Sequence, residues 1–314
     1  MRALRVGDGT TSLVEIPEPE PAGEALVRVR LSGICNTDLE LARGYAGFRG
    51  TIGHEFVGVV EEPGGGRIAR GRRVVGEINA GCGTCPRCAA GDPRHCPTRT
   101  VLGIVGRDGA HAELLRLPAR NLIEVPDGVR DEHAVFVEPL AAALGVLERC
   151  PVERGERVAI IGDGKLGLLC AMALAPLGPL LVGKHPEKLA RARGVEGALV
   201  ESARGRGRVF DVVIEASGHA SGFALALDLL RPQGRLVLKS TFHGATPIDA
   251  ARIVVEEITV VGSRCGRFAP ALDALAAGTL DPSGLVSEVL PLSRAEEAMQ
   301  RAAAPGVLKV LLAP

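Results

Sequence analysis

The run Val158-Ala159-Ile160-Ile161-Gly162-Asp163-Gly164-Lys165-Leu166-Gly167 joins a short apolar segment to a glycine-rich turn, and a second apolar stretch follows it. Residues 157–161 read as a strand buried on both faces and residues 165–177 as a helix. Each glycine of G-x-G-x-x-G has a physical task between them. Gly162 makes the tight turn, Gly164 lets a pyrophosphate approach the backbone, and Gly167 lets helix pack on strand. The helix N-terminus, Lys165 and Leu166, then faces the anion. A bare G-x-G-x-x-G says little, but this one sits in the strand–turn–helix context that a dinucleotide site requires. Outward from it, residues 179–183, 210–215, 234–239 and 258–262 read as strands. Residues 186–194 and 220–230 read as helices, and a further helix precedes them at 139–149, with Pro139 in its first turn. This alternation is the pattern of a parallel sheet wrapped by helices, an α/β domain.

About 20 residues beyond the turn, a site for NAD usually carries an acidic residue for the adenosine ribose. Here the strand ends in Gly183, followed by Lys184 and His185. A missing carboxylate removes repulsion toward a 2′-phosphate and Lys184 can attract one. The spacing therefore favours NADP, with NAD as the alternative; as a plain surface residue, Lys184 would have no such role.

Residues 1–130 have a different texture. Residues 25–31, 55–61 and 73–78 alternate or run β-branched between Gly/Pro clusters, which reads as β-rich. Within this part, Cys82, Cys85, Cys88 and Cys96 form C-x2-C-x2-C-x7-C among turn residues. Four thiolates so spaced can wrap one tetrahedral zinc, and a closed four-sulfur shell is structural. The alternatives are an iron–sulfur cluster, a redox pair, or cysteines that merely share a loop.

A second constellation is more scattered. Cys35, His54 and Glu138 each have a bland reading alone: a small buried hydrophobe, a satisfied core histidine, and an acid favouring a helix start. Together they offer the mixed ligand set of a catalytic zinc with an open position. Asp38 is placed to accept from a ligating imidazole, and Thr37 puts a hydroxyl two residues from the candidate thiolate.

The whole chain sets the limits. Its 314 residues fit two domains. The 37 basic and 37 acidic residues balance, so nothing argues for nucleic acid. No signal-peptide pattern and no membrane-length apolar run are evident, and a soluble, cytoplasmic protein is expected. Cys150, Cys170 and Cys265 have no partner by spacing, and Cys150 and Cys170 read as buried packing residues.

In their order along the chain, these motifs resemble the zinc-containing medium-chain dehydrogenase/reductases, and most nearly their threonine, sorbitol and glucose dehydrogenase branch. The resemblance spans nearly the whole chain. It implies a GroES-like, β-rich catalytic domain with an inserted Rossmann doubly wound domain. The expected division is 1–136 with a structural zinc lobe at 80–98, then 137–266, then a return to the catalytic domain at 267–314. It also implies two zinc ions, one catalytic and one structural, and an NAD(P)-linked alcohol, polyol or carbonyl substrate. Cys35, His54 and either Glu55 or Glu138 would hold the catalytic ion. Thr37 would relay the substrate proton, and Ser217, Gly218 and Lys239 would fall in loops that touch the cofactor.

Two departures stand out. Many relatives carry a histidine where this chain has Glu40, so a carboxylate or water must continue the relay. The Cys35–His54 span is also shorter than usual, so substrate identity does not carry over. The family often forms dimers or tetramers through sheet edges, and residues 258–262 are the candidate edge. The rival readings are a zinc-free quinone or enoyl reductase on the same fold and a non-catalytic nucleotide-binding regulator.

Overall fold

A computed structural model describes residues 1–7, 10–241 and 246–314. The chain divides into two compact units, Met1–Glu138 with Phe268–Pro314, and Pro139–Arg267.

The second unit is built on a six-stranded parallel sheet. Across it run Glu196–Leu199, Leu180–Gly183, Val158–Ile161, Phe210–Glu215, Leu230–Leu238 and Thr259–Gly262. Val158–Ile161, first in sequence, lies third in space, so later strands are added on both its sides. That is the doubly wound order, and it bears out the α/β reading. Val158–Ile161 and Leu180–Gly183 are buried throughout. Ile161, Val182, Val213, Phe223, Leu229 and Leu236 join in one core. A sheet sandwiched between helices needs such unbroken apolar strands.

Sequence patterning missed some elements here. The expected helix 186–194 is only Pro186–Leu189, and a strand, Glu196–Leu199, and a short helix, Val200–Arg204, follow it. Glu196–Leu199 has one buried side chain, Ala198, so no apolar periodicity marked it. Its place comes from parallel pairing with Leu180–Gly183. The helix Ala250–Val255 buries none of its residues and was equally silent.

In the first unit, a seven-stranded sheet has Ala25–Gly33 at its centre. Glu55–Glu62 and Leu114–Leu117 pair with it antiparallel. The closing strand Lys309–Ala313 joins it too, with Leu311 opposite Gly33 and Leu312 opposite Ser32. Chain ends nearly three hundred residues apart in number are thus neighbours in one sheet. Val286–Pro291, absent from the sequence reading, extends it in parallel. Leu4, Ile34, Leu41, Ile52, Met299 and Val310 form the apolar layer beneath the residues described next. No helix among the described residues is long and apolar enough to cross a membrane.

Candidate functional site

Cys35 follows the central strand directly and caps the helix Asn36–Ala42. The Asp38 carboxylate folds back to accept the Cys35 N–H at 2.8 Å, which fixes the turn and aims the thiol. Across the sheet, Glu55 stands opposite Gly33, so His54 arrives beside Cys35. Ligand atoms of Cys35, His54 and Glu55 lie within 4.8 Å of one another. Glu138, in the first turn of Val137–Arg149, falls outside that group; its negative charge nonetheless helps raise the proton affinity of Lys309.

The electrostatics of this group favour a cation. Burial opposes charge on His54, yet Asp38 and Cys35 raise its proton affinity well above that of an ordinary imidazole. Burial likewise opposes charge on Asp38, and His54 and His111 outweigh it, holding the carboxyl well below its usual range. A pocket that stabilises a proton on His54 would equally stabilise a metal ion there. Two buried atoms, His54 Nδ1 and Glu55 Oε1, make no hydrogen bond. An ion with Cys, His and carboxylate donors satisfies Glu55 Oε1, and this donor set suits zinc. Asp38 Oδ1 lies 3.5 Å from His54 Nδ1 and accepts the Gly53 N–H at 3.1 Å. Thr37 lies beside the thiol, with Cys35 Sγ and Thr37 Oγ1 3.8 Å apart. Glu40 accepts from the Arg43 guanidinium at 2.8 Å.

Two residues of this site escaped the sequence reading. Lys309 is buried, and its ammonium donates to Glu55 and, at 3.4 Å, to the Ile34 carbonyl. Its proton affinity is raised: burial opposes the charge, but Glu55 and Cys35 overcome that. His111 is fully buried, 2.8 Å from Ser32 Oγ and 3.5 Å from Asp38 Oδ2. A lone lysine in a closing strand and a lone histidine in a loop carry no spacing signal; strand pairing alone brings them in.

The four cysteines of the lobe do converge. The sulfurs of Cys82, Cys85, Cys88 and Cys96 lie within 4.8 Å of one another, above a two-stranded base where Asn79 pairs with Val101 and Ala80 with Thr100. Backbone N–H groups point at the sulfurs: Cys85 at Cys82 Sγ (3.3 Å) and Cys82 at Cys96 Sγ (3.4 Å). The Thr84 hydroxyl and the Thr84 and Cys85 N–H groups pull the Cys82 thiol down to about 5. The Gly83 N–H acts the same way on Cys88, but burial and its sister thiols push Cys88 up to about 11. Thiolates this close repel one another, and one divalent cation relieves all four.

In the second unit, Gly162 turns the chain at φ +120°, with Ala216 O 2.6 Å from where a Cβ would stand. At Gly167 a Cβ would overlap the Gly162 carbonyl, so helix and turn touch through backbone. Around Gly164 a Cβ would meet nothing within 4 Å, and no side chain caps the helix Lys165–Ala173. The cradle is open where a pyrophosphate would lie, and a dinucleotide fits it. Gly183, Lys184 and His185 gather around Asp163, whose carboxylate accepts both of the latter residues' N–H groups. Ser217 donates to Glu215 through both N–H (2.8 Å) and hydroxyl (2.5 Å), and the Gly218 N–H donates to Ser240 Oγ. Lys239 is buried, and its ammonium donates at 2.7 Å to the carbonyls of Ala142 and Arg264.

Residues 21–127 match the alcohol dehydrogenase GroES-like domain family, and residues 189–277 match the zinc-binding dehydrogenase family. The chain is 30% identical to a sorbitol dehydrogenase of Halalkalibacterium halodurans, over 98% of this chain and 97% of that one. Its fold is similar to the alcohol dehydrogenase rspB of Escherichia coli CFT073 complexed with NADH: TM-score 0.91, 29% identity, covering 100% of this chain and 99% of that one. It is also similar to a zinc-binding dehydrogenase of Sinorhizobium meliloti bound to NADP: TM-score 0.86, 31% identity, covering 100% and 99%.

Proposed function

The chain belongs to the zinc-containing medium-chain dehydrogenase/reductase family, and on that premise we propose that Cys35, His54 and Glu55 hold the catalytic zinc. The protein is an NAD(P)-dependent alcohol or polyol dehydrogenase. The observation that carries the site assignment is the cluster of Cys35, His54 and Glu55 donor atoms within 4.8 Å. Zinc held there supplies a Lewis acid for the substrate oxygen, and the nicotinamide a hydride acceptor. Thr37 receives the substrate's hydroxyl proton. Asp38 keeps His54 oriented and partly neutralises the positive charge around it. Glu40, already engaged by Arg43, has a minor part in proton release, and Glu138 is the alternative third ligand.

Cys82, Cys85, Cys88 and Cys96 hold the structural zinc. The domain division is that of the sequence reading, with the dinucleotide domain inserted between two parts of the catalytic one. The adenosine end of NAD(P) meets the turn Gly162–Gly167 and the Gly183–His185 strand end, and Ser217 and Gly218 border it.

Cytoplasmic residence accords with eight cysteines that form no disulfide among the described residues. A dimer or tetramer forms through Thr259–Gly262, the edge strand of the six-stranded sheet. In support, Val260 on that strand and Val254 and Val255 on the preceding helix are exposed large apolar residues.

The test is zinc analysis with a screen of alcohols and polyols that follows nicotinamide absorbance. About two zinc ions per chain and turnover of a polyol are expected. One zinc and reduction of quinones or enoyl compounds would instead establish the zinc-free reductase. Cys35→Ala or His54→Ala should abolish turnover and leave cofactor binding intact. Unchanged turnover in either removes the catalytic-zinc assignment.

A further inference from the structure

Asp163, the variable residue between the first two glycines of the turn, is 9% exposed. Its Oδ2 accepts the N–H groups of Lys184 at 2.6 Å and His185 at 2.8 Å, and lies 3.0 Å from His185 Nδ1. Burial opposes its charge, but the His185 and Lys184 N–H groups outweigh that and hold the carboxyl below the usual aspartate range. It is therefore a fixed anion at neutral pH. Gly183 completes the arrangement: a Cβ there would lie 2.5 Å from Asp163 Oδ2 and 2.6 Å from Asp163 Cβ. The end of the second strand has no room for a side chain because Asp163 occupies that space.

In a doubly wound dinucleotide domain this strand end meets the adenosine ribose. We propose that Asp163 selects NAD over NADP, acting from the glycine turn in the place that Gly183 leaves vacant. The inference rests on the dehydrogenase reading above. Two effects act together. The Lys184 and His185 amides, which would otherwise cradle a 2′-phosphate, are already committed to a carboxylate. A phosphate of nearly two negative charges would also meet a fixed charge in a partly buried place, where repulsion is poorly screened. A ribose 2′-hydroxyl, in contrast, gains an acceptor. The sequence favours NADP because Gly183 is no acid; the structure shows that an acid reaches the same place from 20 residues upstream.

The test uses zinc-loaded full-length protein at pH 8, titrated with NADH and NADPH. Nicotinamide fluorescence reads binding directly, without turnover, and the chain contains no tryptophan. Wild type should bind NADH at least about tenfold more tightly than NADPH. Asp163→Ser should abolish that preference, and Asp163→Asn, which keeps the shape, should do so if the serine variant does not fold. Asp163→Ala combined with Gly183→Asp should restore the preference by moving the acid back to the strand. Equal or tighter NADPH binding by wild type, or an NADH preference that survives in the Asp163 variant, overturns the role of Asp163 alone. Failure of both nucleotides to bind overturns it together with the dehydrogenase reading.

Discussion

The Glu55 carboxylate and the Lys309 ammonium meet beneath Gly33, with side-chain exposures of 1% and 2%. A Cβ on Gly33 would overlap Glu55 Oε2 and lie 3.5 Å from Lys309 Cδ, so the absent side chain leaves room for the pair. One oxygen of Glu55 is held by Lys309 while the other, Oε1, makes no hydrogen bond. The lysine sets the rotamer of the proposed ligand and stands beside it as its counter-ion. Removing one partner of a buried pair leaves a bare charge, costing about 3–5 kcal/mol. Lys309→Met should destabilise the protein by that order in urea melts and lower its zinc content. Glu55→Leu combined with Lys309→Met should regain most of the stability without regaining the zinc. A cycle showing no coupling between the two sites would refute this.

The two candidate glutamates can be told apart by metal content. Glu55→Gln should leave about one zinc ion per chain, the structural one. Glu138→Gln should leave about two. The reverse pattern would make Glu138 the ligand.

In the lobe, the Cys82 thiol is pulled down to about 5, and its loss should remove the structural ion. Cys82→Ser should reduce the zinc count by about one and make the lobe the first segment cut in limited proteolysis. Equal protease resistance with and without that zinc would show that the lobe folds on its own contacts.

The Thr37 hydroxyl lies 3.8 Å from the Cys35 sulfur. Thr37→Val should lower kcat by about 10²-fold and leave the NADH dissociation constant unchanged. Glu40→Gln should change kcat by less than about tenfold, because Arg43 already engages that carboxylate. A larger loss in Glu40→Gln would place it in the proton path.

Acid should loosen the strand Arg2–Gly7. The Arg2 N–H donates to Glu113 at 2.8 Å, and the guanidinium pairs with the same carboxylate. These bonds, the backbone one first, hold the Glu113 carboxyl below its ordinary 4.5. A lowered folded-state value means that the stabilisation is complete above about pH 4.5 and fades as the pH falls through the folded value. Glu113→Gln should cost roughly 1 kcal/mol at pH 7, since Arg2 is partly exposed, and nearly nothing near pH 2. A cost that is constant with pH would assign the effect to packing.

Much of the site was legible before any coordinates. The glycine turn and the four-cysteine lobe each lie within a short segment, where local geometry alone brings the groups together. Cys35 and Thr37 were legible for the same reason. Other residues were silent because their meaning depends on distant partners. Asp163 reads as the variable position of a motif, and Lys309 as one more charge in a closing strand. The burial of Lys239, whose ammonium donates to the Ala142 and Arg264 carbonyls, was equally silent.

By itself, then, the sequence determined the fold class, the strand–turn–helix around the glycine-rich turn, and which residues could bind metal. Those depend on spacing within one or two turns of chain, which sequence states directly. Tertiary structure alone decided that Lys309 grips Glu55 and that Asp163 fills the space beside Gly183. Both follow from register between strands and turns far apart in the chain, and no local preference encodes which backbones will lie side by side.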